Sequence, residues 1–89
     1  MVPFPLGQIV ATPRALKLLE EAGKDSYFLL ARHRCGDWSE LCAYDCRENE
    51  LSLKHDWRIL SSYSVGKRRV WIITEEDRYV TTILLPEEY

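Results

Sequence analysis

The sequence predicts an α+β domain in which two or three amino-terminal helices pack on a carboxy-terminal three-stranded antiparallel β-meander. In residues 12–54, apolar residues recur at helical spacing between helix-start and helix-stop residues. Residues 57–86 are instead rich in β-branched and aromatic residues and are interrupted by short links. Because the helices precede the sheet and each apolar face needs a partner, we expect the helices to cover one face of the sheet.

The 89 residues are expected to form a single domain. We divide it into an extended arm (1–7), a helical part (8–56) and an antiparallel sheet (57–86). Within the helical part, the segment GQIVAT (7–12) reads either as a short strand or as the approach to the first helix.

Composition excludes some classes of partner. Twelve basic and 14 acidic residues leave a net charge of −2, so no strong field attracts the whole molecule to nucleic acid or to an anionic membrane. No apolar run approaches the ~20 residues that span a bilayer. The segment MVPFPLGQIV lacks a basic start and contains two prolines, which is unlike a signal peptide. We therefore expect a cytoplasmic protein.

Start and stop residues mark the first two helices. Thr12 followed by Pro13 predicts an N-cap and a first helical residue, and Gly23 ends that helix. A second helix is predicted from about Asp25 to Arg34, with Gly36 after it.

The predicted third helix and the sheet follow. The segment DWSE matches a capping box, with Asp37 as the N-cap and Glu40 three residues later, and the helix should run to about Lys54. Three strands are predicted at 57–65, 67–75 and 78–86, and their links are short enough for hairpins.

Five side chains are candidate metal ligands: His33, Cys35, Cys42, Cys46 and His55. The spacings match no zinc finger or zinc knuckle, because no Cys-x-x-Cys pair is present. A thiolate at Cys35, beside His33 and two arginines, is the other alternative, but no substrate pocket is indicated. We prefer packing thiols and expect neither a metal nor a cofactor.

The corner Gly36-Asp37-Trp38 has both a structural and a functional interpretation. Glycine permits a positive φ, aspartate caps the next helix, and tryptophan covers the open end of the core. This structural interpretation is preferred, and the three residues remain binding candidates because aromatic residues near loops serve both roles.

Four segments resemble a family of short uncharacterised bacterial proteins of plasmids and other mobile elements. The four segments are GQIVATPRALKLLEEAG, LLARHRCGDW, RILSSY and VWIITEEDRYVTTILLPEEY. The resemblance as a whole covers about residues 6–89. Members are sometimes labelled as restriction-modification subunits. That label does not fit this chain, because a methyltransferase subunit would need a much larger cofactor-binding domain. The resemblance implies an accessory role on a mobile element.

The first functional hypothesis is a small ribonuclease or toxin-like RNA-binding protein of the barnase or RelE type. Its candidates are His33 as acid or base, Arg58 for the phosphorane charge and Thr74 on a neighbouring strand. The basic turn 67–69 would bind phosphates. The fold analogy is its main support.

The second hypothesis, which we prefer, is a non-enzymatic protein that binds itself or another protein through the sheet or its edge. Tyr63, Trp71 and Tyr79 would form an aromatic cross-strand patch. Trp71 lies between Val70 and Ile72, so both faces of the middle strand are apolar. The second face is then covered either by the amino-terminal arm or by a second subunit.

Overall fold

The computed structural model describes residues 4–89, and residues 1–3 of the predicted arm lie outside the described residues. The described chain is an α+β structure with three α-helices and a four-stranded mixed sheet. The helices are α1 (Pro13–Glu21), α2 (Ser26–Arg34) and α3 (Ala43–His55). The strands are β1 (Gln8–Ala11), β2 (Ile59–Val65), β3 (Arg68–Thr74) and β4 (Val80–Leu84), and a 3-10 turn follows at Pro86–Glu88.

The sheet is larger than the predicted meander. The strand order is β1-β4-β3-β2: β2, β3 and β4 pair antiparallel, whereas β1 pairs in parallel with β4. The α+β class is confirmed and the three predicted strands do pair antiparallel, but the sheet also contains a fourth, parallel strand at residues 8–11, which the division of the chain had placed in the helical part. The partner of β1 lies more than 70 positions away, with Gln8 opposite Val80, so no local sequence pattern indicates the pairing.

The first two helices begin where their capping residues predict. The Thr12 hydroxyl accepts a hydrogen bond from the Ala15 amide at 3.1 Å, and proline occupies the first helical turn. The Asp25 carboxylate accepts one from the Tyr27 amide at 2.9 Å. Each cap satisfies an amide that the helix itself leaves unpaired.

The third helix begins later than predicted. Its first residue is Ala43, with Cys42 as the N-cap, and no capping box forms at Asp37 and Glu40. The Asp37 carboxylate instead accepts hydrogen bonds from Arg32 Nε at 2.7 Å and the Ser39 hydroxyl at 2.9 Å. Tertiary contacts therefore use the side chains that would have capped a helix.

Alternation along the strands gives the sheet an inner and an outer face. On the inner face, Tyr63, Ile72 and Ile83 pack against α1 and α2 in the main core. The helices contribute buried apolar residues to this core: Ala15, Leu19, Leu29 and Leu30. A smaller cluster at one end joins Phe4 of the arm to Trp38 and Ile59.

The arm accordingly lies on the helical side of the sheet. Phe4 meets the ring of His33 edge-on, with 5.2 Å between centroids, and its amide donates to the Arg34 carbonyl. Of the two alternatives for covering the second face, the described part of the arm therefore does not fit the first. The carboxy-terminal Tyr89 instead meets Trp71 on the outer face, with 5.6 Å between ring centroids.

Candidate functional site

A buried chain of hydrogen bonds links α2 to two strands of the sheet. His33 Nδ1 contacts the Ser61 hydroxyl, and His33 Nε2 lies 2.8 Å from the Thr74 hydroxyl. Thr74 lies 2.8 Å from the Thr81 hydroxyl, which donates to the Leu6 carbonyl at 2.7 Å. All four side chains in this His33 network are fully buried.

The last bond fixes the direction of the others. Because Thr81 donates its proton to the Leu6 carbonyl, it accepts from Thr74, which in turn accepts from His33 Nε2. His33 Nδ1 then accepts from Ser61, so the ring is the neutral Nε2–H tautomer. Burial, reinforced by the positive charge of Arg78, lowers the pKa of His33 to about 3.

The ribonuclease candidates do not assemble into one site. His33 and Thr74 meet, but both are buried against the inner face. Arg58 is exposed, lies over the Tyr89 ring at 5.2 Å, and lines a cleft together with Leu60 of the outer face. The predicted pairing of an imidazole and a guanidinium on one phosphate is therefore absent.

Two of the three basic side chains in the turn at 67–69 already pair with acidic side chains. Arg68 pairs with Glu87, and Arg69 pairs with Glu40 at 3.3 Å while donating to the Ser62 hydroxyl at 2.6 Å. Only the Lys67 side chain of this turn makes no ion pair within residues 4–89. The turn is thus a poor phosphate clamp.

The predicted aromatic patch does not form. Tyr63 is buried on the inner face, and its hydroxyl donates to the Asp37 carbonyl at 2.9 Å. Trp71 is opposite Ser62 on the outer face, and Tyr79 precedes β4 with 73% of its surface exposed. The alternation of side chains separates these residues, because positions 63 and 71 do not share a face.

The Gly36-Asp37-Trp38 corner is built into the core. Gly36 has a φ of +76°, and Trp38 is buried against Phe4 and Ile59. Arg32 hydrogen-bonds the Asp37 carboxylate and holds the pKa of that carboxyl below its usual value. The Trp38 indole N–H has no hydrogen-bond partner within the described residues.

The three cysteines differ in their surroundings. Cys46 is half-buried beside the Phe4 cluster, and its thiol donates to the Trp38 carbonyl at 3.2 Å. Cys35 and Cys42 are exposed, so the interpretation as packing thiols holds for Cys46 alone. Between residues 4 and 89, no group of three or more His, Cys, Asp or Glu side chains is arranged to hold a metal ion.

One edge of the sheet, along β2, is covered by side chains. The Asn49 amide of α3 donates to the Leu60 carbonyl at 2.7 Å and accepts from the Leu60 amide at 3.2 Å. Further along, Glu40 accepts from the Ser64 amide at 2.8 Å. Asn49 therefore imitates a neighbouring strand at the place where another chain would pair.

Substituting Asn49 by leucine should lower the free energy of unfolding by about 2 kcal/mol, because two backbone groups of Leu60 lose their partners. Denaturant unfolding would measure it. Glu50, the exposed neighbour of Asn49 on α3, gives the matched control Glu50→Leu. Equal losses in the two variants would contradict a role for the amide.

The opposite edge, along β1, is open. The amides of Gln8 and Thr12 donate to the carbonyls of Tyr79 and Ile83, at 2.8 and 3.0 Å. In a parallel ladder, the intervening amides and carbonyls of Ile9 and Ala11 alternate to the other side. Since β1 ends the strand order, those groups have no partner strand within residues 4–89.

The open edge is also apolar and uncharged. Its sequence is QIVA, with 45% of Ile9 and 39% of Val10 exposed. Sequence reasoning noted a short strand here as one alternative, but the absence of charge in QIVA was the signal that it is an unprotected edge.

A second exposed apolar surface lies on α2. Leu29, Leu30 and His33 face the core, whereas 75% of Tyr27 and 65% of Phe28 are exposed. The helix is therefore apolar on both sides, which is unusual for a helix at a protein surface. Sequence reasoning missed this surface, although two apolar stripes in one helix were a visible signal.

Comparisons with protein-family models, with curated proteins and with solved structures found no match for this chain. None of the helices in residues 4–89 has the length and apolar character to cross a membrane.

Proposed function

We propose that this chain is a non-enzymatic interaction protein that pairs with a second copy of itself through the β1 edge. The observation that supports the proposal is that the backbone of one sheet edge is hydrogen-bonded by side chains, whereas the backbone of the other edge is not. Side chains of Asn49 and Glu40 satisfy the backbone of β2, whereas the backbone of Ile9 and Ala11 is left without a strand. Proteins that remain monomeric protect exposed edges with short strands, charge, proline or a covering element, and β1, although only four residues long, contains neither a charged residue nor a proline.

A second copy suits this edge because the edge complements itself. Two β1 strands related by a two-fold axis would pair antiparallel and join two four-stranded sheets into one. No charge in QIVA opposes its own copy across the axis. Since β2 is covered, the assembly closes at two copies.

The resemblance to proteins of plasmids and mobile elements supports an accessory role for such a dimer. The ribonuclease alternative loses its candidate site, because His33 is enclosed and Arg58 lies across the sheet. An enclosed imidazole with a pKa of about 3 is not available to exchange a proton with a substrate.

A charge placed on the open edge should separate the copies. We expect the wild-type protein to have the mass of a dimer at about 100 μM, since a short edge buries little area. Ile9→Lys should be monomeric at the same concentration, because two ammonium groups would meet across the axis. Light scattering coupled to gel filtration, over a dilution series, measures both.

The matched control is Leu51→Lys on α3. Leu51 is 42% exposed, close to the 45% of Ile9, but lies away from β1. The control should remain dimeric. A monomeric wild type at every concentration, or dissociation of both variants alike, would refute pairing through β1.

A further inference from the structure

We infer that the outer surface of α2 is a docking site for an acidic amphipathic helix of another protein. This α2 surface consists of Tyr27, Phe28, Ala31 and Arg34, extended by Lys24 just before the helix. Positions 27, 31 and 34 follow one another at the spacing of a single helical face, with Phe28 beside them. The four helical residues are all exposed.

The apolar part of this surface has no structural role in the chain itself. The core contacts of α2 come from Leu29 and Leu30, on the other side of the helix. A fully exposed aromatic side chain presents ~200 Å², so Tyr27 and Phe28 together leave ~300 Å² in water. That is enough to accept two or three apolar anchors of a partner helix.

Comparison with α1 shows how α2 differs from a helix with a mainly charged outer side. The buried residues of α1 are Ala15 and Leu19, and its other positions are mostly charged: Arg14, Lys17, Glu20 and Glu21. This is the usual pattern for a helix that covers a sheet. On its solvent side α2 carries two adjacent exposed aromatic side chains, whereas α3 carries one, Tyr44, and α1 carries none.

The charges around the α2 surface indicate which charge a partner should carry. Lys24 and Arg34 form no ion pair within residues 4–89, although Arg34 Nε donates to the Phe4 carbonyl. The only acidic side chain in residues 24–34 is Asp25, and it is bound to the Tyr27 amide. The free charges are therefore positive, which favours a partner with acidic residues beside its apolar stripe.

The same charges disfavour a second copy at this place. An antiparallel α2 pair would bring the cationic ends of one surface close to those of the other. The self-association proposed for β1 and the docking on α2 therefore use different surfaces and can fail independently.

The test uses two synthetic helical peptides that differ only in charge. Each carries leucines at positions i, i+4 and i+7, flanked by glutamates in one peptide and by lysines in the other. Fluorescence anisotropy with the full chain should show the glutamate peptide binding at least about ten times more tightly than the lysine peptide. Phe28→Ser should weaken the glutamate peptide by about ten-fold or more.

The matched control is Tyr44→Ser on α3, because Tyr44 is 62% exposed and Phe28 is 65% exposed. The control should bind like wild type, and Lys24→Glu should reduce the preference for the glutamate peptide several-fold. Equal binding of both peptides, no binding of either, or the same loss in both serine variants would overturn the proposal. So would a loss of the wild-type dimer in Phe28→Ser, since that outcome would assign α2 to self-association.

Discussion

Acidification should destabilise this protein well above the range in which carboxylates titrate, and His33 is the reason. Its pKa is about 3 in the fold against 6.5 unfolded, so the unfolded chain binds more protons between those values. Stability is then full above pH 6.5 and is lost as the pH falls toward 3, by about 5 kcal/mol in total. Between pH 8 and 5 alone the loss should be about 2 kcal/mol.

Denaturant unfolding at several pH values measures this slope. The lowered pKa values of Asp37 and Glu40 add their own acid loss only below their ordinary values of 3.8 and 4.5, so the range above pH 5 isolates His33. His33→Gln should be less stable at pH 8 and nearly independent of pH down to 5. The exposed His55, changed to glutamine, should leave the wild-type slope intact.

A second measurement applies if His33→Gln does not fold. The ring carbon resonances of His33 in the wild-type protein should stay constant from pH 8 to 5, because the neutral tautomer is held by Ser61 and Thr74. A ring that titrates near pH 6 would contradict the enclosed network.

Gly7→Ala should destabilise the protein strongly. A Cβ at this position would lie 2.3 Å from the Tyr79 carbonyl oxygen, and the backbone there has a φ of +66°. That same carbonyl accepts the hydrogen bond from the Gln8 amide, so relief of the clash must pull β1 from β4. We expect a loss of about 3 kcal/mol, from the positive φ and from ladder hydrogen bonds.

Gly23→Ala separates the two contributions. Gly23 has a φ of +65°, almost the same as Gly7, but no atom lies within 4 Å of its added Cβ. It should cost only about 1 kcal/mol, the penalty of the positive φ itself. Thermal or denaturant unfolding of both variants decides the matter, and equal losses would show that the contact with Tyr79 is unimportant.

The elements that the sequence predicts well are those set by neighbouring residues. Thr12 and Asp25 cap helices because their side chains reach amides two or three positions away. The turn at Gly66 joins β2 to β3 with Val65 opposite Arg68, as a two-residue hairpin requires. Such interactions are complete within a few residues, so the local pattern contains them.

The elements that the sequence does not predict depend on distant partners. β1 pairs with β4 across most of the chain, and the Asp37–Glu40 pattern loses its capping role to Arg32 and Ser64. The separation of the three aromatic residues proposed as a patch has the same cause. Alternation places Tyr63 and Trp71 on faces, but only the register between β2 and β3 shows that the faces differ.

The cover over β2 depends on α3 staying in place, since Asn49 reaches Leu60 only from the folded helix. Local opening of α3 would leave the backbone of Leu60 on β2 without its partner, in addition to the open β1 edge. Such molecules could add head to tail without limit, which is how fibrils grow. If β1 pairs as proposed, the contact of Asn49 with Leu60 therefore helps to keep the assembly finite.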